Sequence, residues 1–160
     1  LLYLSAGCEK TAAFMEQLKN QGFYDVGDEI RAEIAASFVG GFCTEEQTMA
    51  TIKEVFDGQG YLIDTHTAVA ANVLAQYRAE TGDDAVTVFV STASPYKFAA
   101  DVYESLGKTQ PADPLAALDE LASATNTEIP YPLRGLGQRE VRFTKVIDAE
   151  EMPVAVLEWC

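Results

Sequence analysis

Ser94 and Lys97 stand three residues apart in STASPYKF, residues 91–98. The S-x-x-K spacing puts a serine hydroxyl at a helix start and a lysine amine one turn later. A buried, deprotonated amine there activates the hydroxyl for acyl transfer. The motif is frequent by chance, and neither S-D-N nor K-T-G accompanies it in this chain. Position offers a second reading. Residues 86–91 are a continuous apolar run rich in β-branched side chains, the pattern of a strand buried on both faces. In α/β folds the carboxyl ends of such strands, with the loops that follow, form the ligand cleft. Ser91, Thr92, Ala93 and Ser94 occupy that place. All are small enough for a flat ligand to approach the backbone, and their hydroxyls can bond a ring nitrogen. The same residues read equally well as an ordinary strand-to-helix turn in which serine is a cap.

His66 is the sole histidine and lies near a helix start, a place for packing or capping as much as for chemistry. Asp64, two residues earlier, is most simply an N-cap, stabilised by the backbone N–H groups and the dipole of the helix it opens. No metal site is expected. Cys8, Cys43 and Cys160 are far apart and form no CxxC pair, so they read as reduced thiols of a cytoplasmic protein.

The elements that must position these residues follow from periodicity and punctuation. Apolar spacing predicts helices over residues 9–20, with Gly22 as a stop, and over 28–38, ended by Gly40-Gly41. Thr44 and Gln47 form a capping box for a helix through Met49, Ile52, Val55 and Phe56, closed by the turn at residues 58–60. Asp64 or Thr65 caps a helix to about Glu80. After the strand at 86–91, Pro95 opens a helix ended by Gly107. Asp113-Pro114 starts another to about Ala124, and residues 126–138 are a loop. Residues 140–147, EVRFTKVI, alternate like a strand, and Asp148 caps a last helix toward Trp159. The expected fold class is therefore α/β, mostly helical with a few buried parallel-type strands.

Composition sets the outer limits. The 160 residues, 48% apolar, suit one domain or part of a larger one. A net charge of −14 argues against nucleic acid and anionic membrane as partners, because phosphates need clustered Lys and Arg. No apolar stretch is long enough to span a bilayer. The opening LLYL reads as the middle of an apolar helix face, hence as the start of a fragment.

Three segments carry a resemblance. GYLIDTHTAVAANVL (60–74), VTVFVSTASPYKFAADVYESLG (86–107) and REVRFTKVIDAEEMPVAVLEW (139–159) resemble the C-terminal part of the bacterial threonine synthase family. That family shows GY-x-x-D/E-P-H-T/A-A-V-A before a strand ending S-T-A-x-P-x-K-F. Two departures stand out: Thr65 replaces proline, and Ser94 stands where many members have histidine. The resemblance implies a tryptophan-synthase-like enzyme, fold type II, dependent on pyridoxal 5'-phosphate (PLP). It would convert O-phosphohomoserine and water to threonine and phosphate. It also implies that Thr92 contacts the pyridine nitrogen, with Ser91 the second candidate, and that His66 and Ser94 line the cleft.

No catalytic residue is expected in this chain. The Schiff-base lysine and the phosphate-holding loop belong to an earlier part of such enzymes. None of Lys10, Lys19, Lys53, Lys97, Lys108 or Lys145 stands in a matching context. Residues 1–160 would then be one C-terminal region, mainly helical over 1–58, with the cofactor-cleft wall and a closing strand and helix over 59–160. Its partners would be the substrate, the preceding part of the same chain and, through exposed apolar surface, itself. Two alternatives stand beside this: a non-catalytic helical interaction or regulatory module, and the Ser94/Lys97 hydrolase.

Overall fold

The computed structural model describes residues 1–159 and divides into two compact units, Leu1–Phe42 and a second from Cys43 onward. The first holds α1 (Leu2–Gln21) and α2 (Gly27–Ala35). Helix α1 starts earlier than its periodicity suggested. Gly7, at φ 78° and ψ 175°, interrupts it, so its first turn is set off from the rest. Gly22 ends it in the left-handed conformation that glycine adopts at little cost. Phe14, buried, stacks on Tyr24 with ring centroids 5.7 Å apart, and Ile30 is the buried residue of α2. Arg31 pairs with Asp25 and Asp28 at the surface, contacts that contribute little to stability.

The second unit is built on α3 (Glu45–Gln59), α4 (Thr65–Thr81), α5 (Ala99–Ser105), α6 (Ala116–Thr125) and α7 (Met152–Trp159). The expected capping box is present: Thr44 Oγ1 accepts from Gln47 N–H, and Gln47 Oε1 accepts from Thr44 N–H at 2.8 Å. Helices α4 and α5 pack on α3, and α6 packs on α5. Their shared core is Ile52, Ile63, Ala68, Tyr96, Ala99, Val102, Ala117, Leu118 and Leu121. Asn72 Nδ2 donates to Thr51 Oγ1 at 3.0 Å, a polar tie between α4 and α3. Helix α6 begins beyond Asp113, whose carboxylate accepts from Leu115 N–H, and ends at Asn126 in the left-handed region, φ 53°. Asp148 forms a capping box with Glu151 ahead of α7.

The expected strands require correction. No strand occurs among the described residues, so of the α/β expectation only the helical part is met. Residues 86–90 carry no regular secondary structure, and Val86 is 98% exposed. Over 140–147, Val141, Phe143 and Val146 are likewise exposed. The reason is physical. A strand exists by exchanging hydrogen bonds with a neighbouring strand, and a run patterned for burial on both faces stays open where no neighbour covers it. Cys8 and Cys43 are free thiols, as expected, while Cys160 lies outside the described residues.

Candidate functional site

The site begins with Asp64, which is 0% exposed and caps α4. One carboxylate oxygen, Oδ1, does the capping: it accepts from His66 N–H at 2.9 Å and Thr67 N–H at 3.3 Å. The other, Oδ2, accepts from the Thr67 hydroxyl and, at 3.4 Å, from the Ser91 hydroxyl. Thr67 Oγ1 and Ser91 Oγ are themselves 2.9 Å apart. Ser91, which closes the apolar run, is thus fastened to the start of α4 across 27 positions of sequence. Burial, the largest single influence on Asp64, raises its pKa. The hydrogen bonds from Thr67, His66 and Ser91 together outweigh it, and the carboxyl sits below its ordinary value. Asp64 is therefore ionised at neutral pH although no solvent reaches it.

The turn that follows is shaped by its own caps. Ser94 Oγ accepts from Tyr96 N–H at 3.3 Å and opens a 3-10 turn, Pro95–Phe98, that leads into α5. Proline suits that position because its missing N–H needs no partner there. Tyr96 plunges into the core, and its hydroxyl lies 2.6 Å from Thr127 Oγ1. The Lys97 ammonium stands 5.3 Å from the centre of the Phe98 ring. Ser94 and Lys97 are both committed to local structure, the one as a cap and the other over an aromatic face. A Ser-Lys dyad gains no support from this geometry.

Two cavities flank the start of α4. One, of about 480 Å³, lies beside α3 and α4 and is lined by Thr51, Ile63, Thr67, Asn72, Phe89 and Ser91, among others. The other, about 520 Å³, is lined by Thr48, Met49, Thr65, His66, Phe98 and Asp101, among others. The sequence-derived candidates are consequently spread out. Ser91 lines the first cavity, and its hydroxyl is engaged by Thr67 and Asp64. His66 lines the second, its ring tilted against Phe98 at 5.1 Å and its Nδ1 3.5 Å from Asp64 Oδ1. Thr92 is exposed on the turn between Ser91 and Ser94. Sequence reading missed Thr67 as part of the site. Its spacing three residues after the cap was the available signal, since that position faces the capping side chain.

The family model of the threonine synthase C-terminal region matches residues 67–156, more than half of the chain. The chain belongs to the threonine synthase C-terminal family. Its relatives agree. A threonine synthase from Corynebacterium glutamicum is 34% identical over 91 residues, covering 55% of this chain and 18% of the relative. A PLP-bound threonine synthase from Brucella melitensis has a similar structure, with TM-score 0.64 and 28% identity, over 89% of this chain and 27% of that one. Yeast threonine synthase matches over 97% of this chain and 30% of its own, with TM-score 0.69 and 25% identity. The chain thus spans about a fifth of the curated relative and under a third of the solved structures. The match begins at Thr67 and takes in the whole 91–98 turn, while Asp64 and His66 stand just before its first residue.

Proposed function

We propose that this chain forms the C-terminal part of a cytoplasmic, PLP-dependent threonine synthase, a lyase of threonine biosynthesis acting on O-phosphohomoserine. The observation that carries the reading is the family match running through Thr67 and Ser91, which bond the buried Asp64, and through Thr92, the next residue along the chain. Residues 59–160 supply a wall of the cofactor cleft, and the rest of the enzyme supplies the Schiff-base lysine and the phosphate-binding loop.

The donor set fits such a cofactor at one edge. The turn offers neutral hydroxyls on small residues. The carboxylate nearest to it, Asp64, already accepts from the His66 and Thr67 N–H groups and from the Thr67 and Ser91 hydroxyls. A neutral hydroxyl donates to a pyridine nitrogen without favouring its protonation, as a carboxylate would. Thr92, exposed on the turn, is the residue for that contact. Ser91, the second candidate, has its hydroxyl held by Thr67 and Asp64 and is better placed to steady the turn. PLP, when bound, supplies the electron sink for the charge that develops as protons leave the substrate. His66 and Ser94 line the cleft: one packs on Phe98, and the other fixes the start of the 3-10 turn.

The test is direct. The full-length gene product is incubated with PLP and O-phosphohomoserine, and phosphate and threonine are quantified together. Equal release of both is expected. Robust PLP binding without release of either product overturns the reading. The 160-residue chain alone should release neither.

A further inference from the structure

The cap on α4 uses only half of Asp64. Both backbone N–H groups bond Oδ1, at 2.9 and 3.3 Å, and asparagine or serine could accept those as well. Oδ2 bonds hydroxyls instead: that of Thr67, one turn into α4, and that of Ser91, far along the chain. A fully buried anion is a costly choice for a helix cap, because ordinary caps sit at the surface and keep their hydration. Its second oxygen explains the choice. Hydrogen bonds to a buried carboxylate are stronger than those between neutral groups, so they hold a neighbouring segment more firmly. The segment held is the backbone just before Thr92. Residues 83–93 contain no helix or strand among the described residues; Tyr77 and Arg78 of α4 tie down Asp83, Ala85 and Thr87, and the Asp64 link holds the far end at Ser91.

We infer that Asp64 is a positioning residue: through Oδ2 and the Thr67 hydroxyl it fixes Ser91, and so aims the adjacent Thr92 hydroxyl at the cofactor ring. This rests on the threonine synthase reading above. Among the described residues, the titratable group paired with Asp64 is His66, with Nδ1 3.5 Å from Oδ1. It stands on the capping side of the carboxylate, so the hydroxyl side acts through neutral groups only.

The experiment uses the full-length protein and three variants, Asp64→Asn, Thr67→Val and Ser91→Ala. Asparagine preserves the cap acceptor but replaces Oδ2 with a donor. Both other variants leave the carboxylate intact: Ser91→Ala removes the link and Thr67→Val removes its shorter, hydroxyl-bridged arm, so the test survives should Asp64→Asn fold poorly. The first readout needs no activity: methyl NMR of labelled threonines in the cofactor-free protein. The Thr92 methyl resonance is expected to move in all three variants, while that of Thr125, in α6, stays in place. The second readout is steady-state kinetics with PLP and O-phosphohomoserine. A displaced hydroxyl should lower kcat on the order of tenfold to a hundredfold, as small misplacements of catalytic groups do, with KM little changed. Combining Asp64→Asn with Ser91→Ala should cost no more than the worse single change, because both cut one link.

An unmoved Thr92 resonance with unchanged kcat in the variants overturns the inference, even when Thr92→Val impairs turnover. A shifted Thr92 resonance in a protein that neither binds PLP nor depends on Thr92 upholds the structural link and overturns the threonine synthase reading instead. Fully additive losses in the double variant overturn the shared link.

Discussion

Replacing Asp64 by alanine removes two things at once, and their sizes follow from the geometry. The first is the α4 cap, two N–H groups on Oδ1, worth about 1 kcal/mol in the range of about 0.5–2. The second is the charge-assisted bond from the buried Thr67 hydroxyl, worth about 1.5–3 kcal/mol. The Ser91 bond, 3.4 Å long and at an exposed residue, positions its segment and adds less to global stability. Asp64→Ala should therefore cost about 2–4 kcal/mol, and Asp64→Asn clearly less, because it keeps the cap. Urea unfolding followed by circular dichroism measures both, with an unchanged m-value showing that stability alone has moved. The wild type adds a pH signature. The Asp64 carboxyl is depressed in the folded state, so its contribution is complete above the unfolded aspartate value of about 3.9. It is lost as the pH falls through the lower folded value. The gap between wild type and Asp64→Asn should be constant from neutrality to mild acid and close below that. Equal losses in the two variants, or a loss under about 0.5 kcal/mol in Asp64→Ala, would refute a buried carboxylate with two separate jobs.

Other expectations are simpler. Leu121, the fully buried core residue of α6, should cost about 2–5 kcal/mol as Leu121→Ala in the same urea assay, whereas exposed Leu4→Ala should cost almost nothing. Tyr96→Phe removes a hydroxyl bonded to the Thr127 side chain and carbonyl and should cost about 1 kcal/mol in the same assay. The 160-residue chain exposes Val86, Val88 and Val90 on a segment without a strand partner, so sedimentation should show dimers or larger species. Val88→Lys should shift them toward monomer, and a wild-type chain that is wholly monomeric contradicts this.

What could be read from sequence depended on how local the cause was. The Thr44–Gln47 capping box, the Asp64 cap and the Gly22 stop each follow from residues within one helical turn, and each is where its pattern put it. Pro95 was rightly placed in a first turn, but that turn is 3-10 and only then becomes α5. The link from Asp64 to Ser91 spans 27 positions, and no local pattern encodes a hydroxyl arriving from so far. The strand at 86–90 failed for the complementary reason. Its β-branched residues record a preference for burial between neighbours, and that preference becomes a strand only where a neighbour donates hydrogen bonds. Ser94 and Lys97 show the opposite error of motif reading. Their spacing is that of a dyad, yet one hydroxyl accepts a backbone N–H and the amine rests over Phe98.

The most direct measurement is turnover of O-phosphohomoserine by full-length Thr92→Val and Ser94→Ala. Valine keeps the shape of threonine but leaves a buried ring nitrogen without its donor. That loss of about 1–3 kcal/mol should appear as a fall in kcat on the order of tenfold to a hundredfold. Ser94→Ala removes a cap on a short turn and should cost about 1 kcal/mol of stability with turnover nearly intact. The reverse order, with Ser94→Ala inactive and Thr92→Val unimpaired, would contradict the assignment of this turn to the cofactor ring.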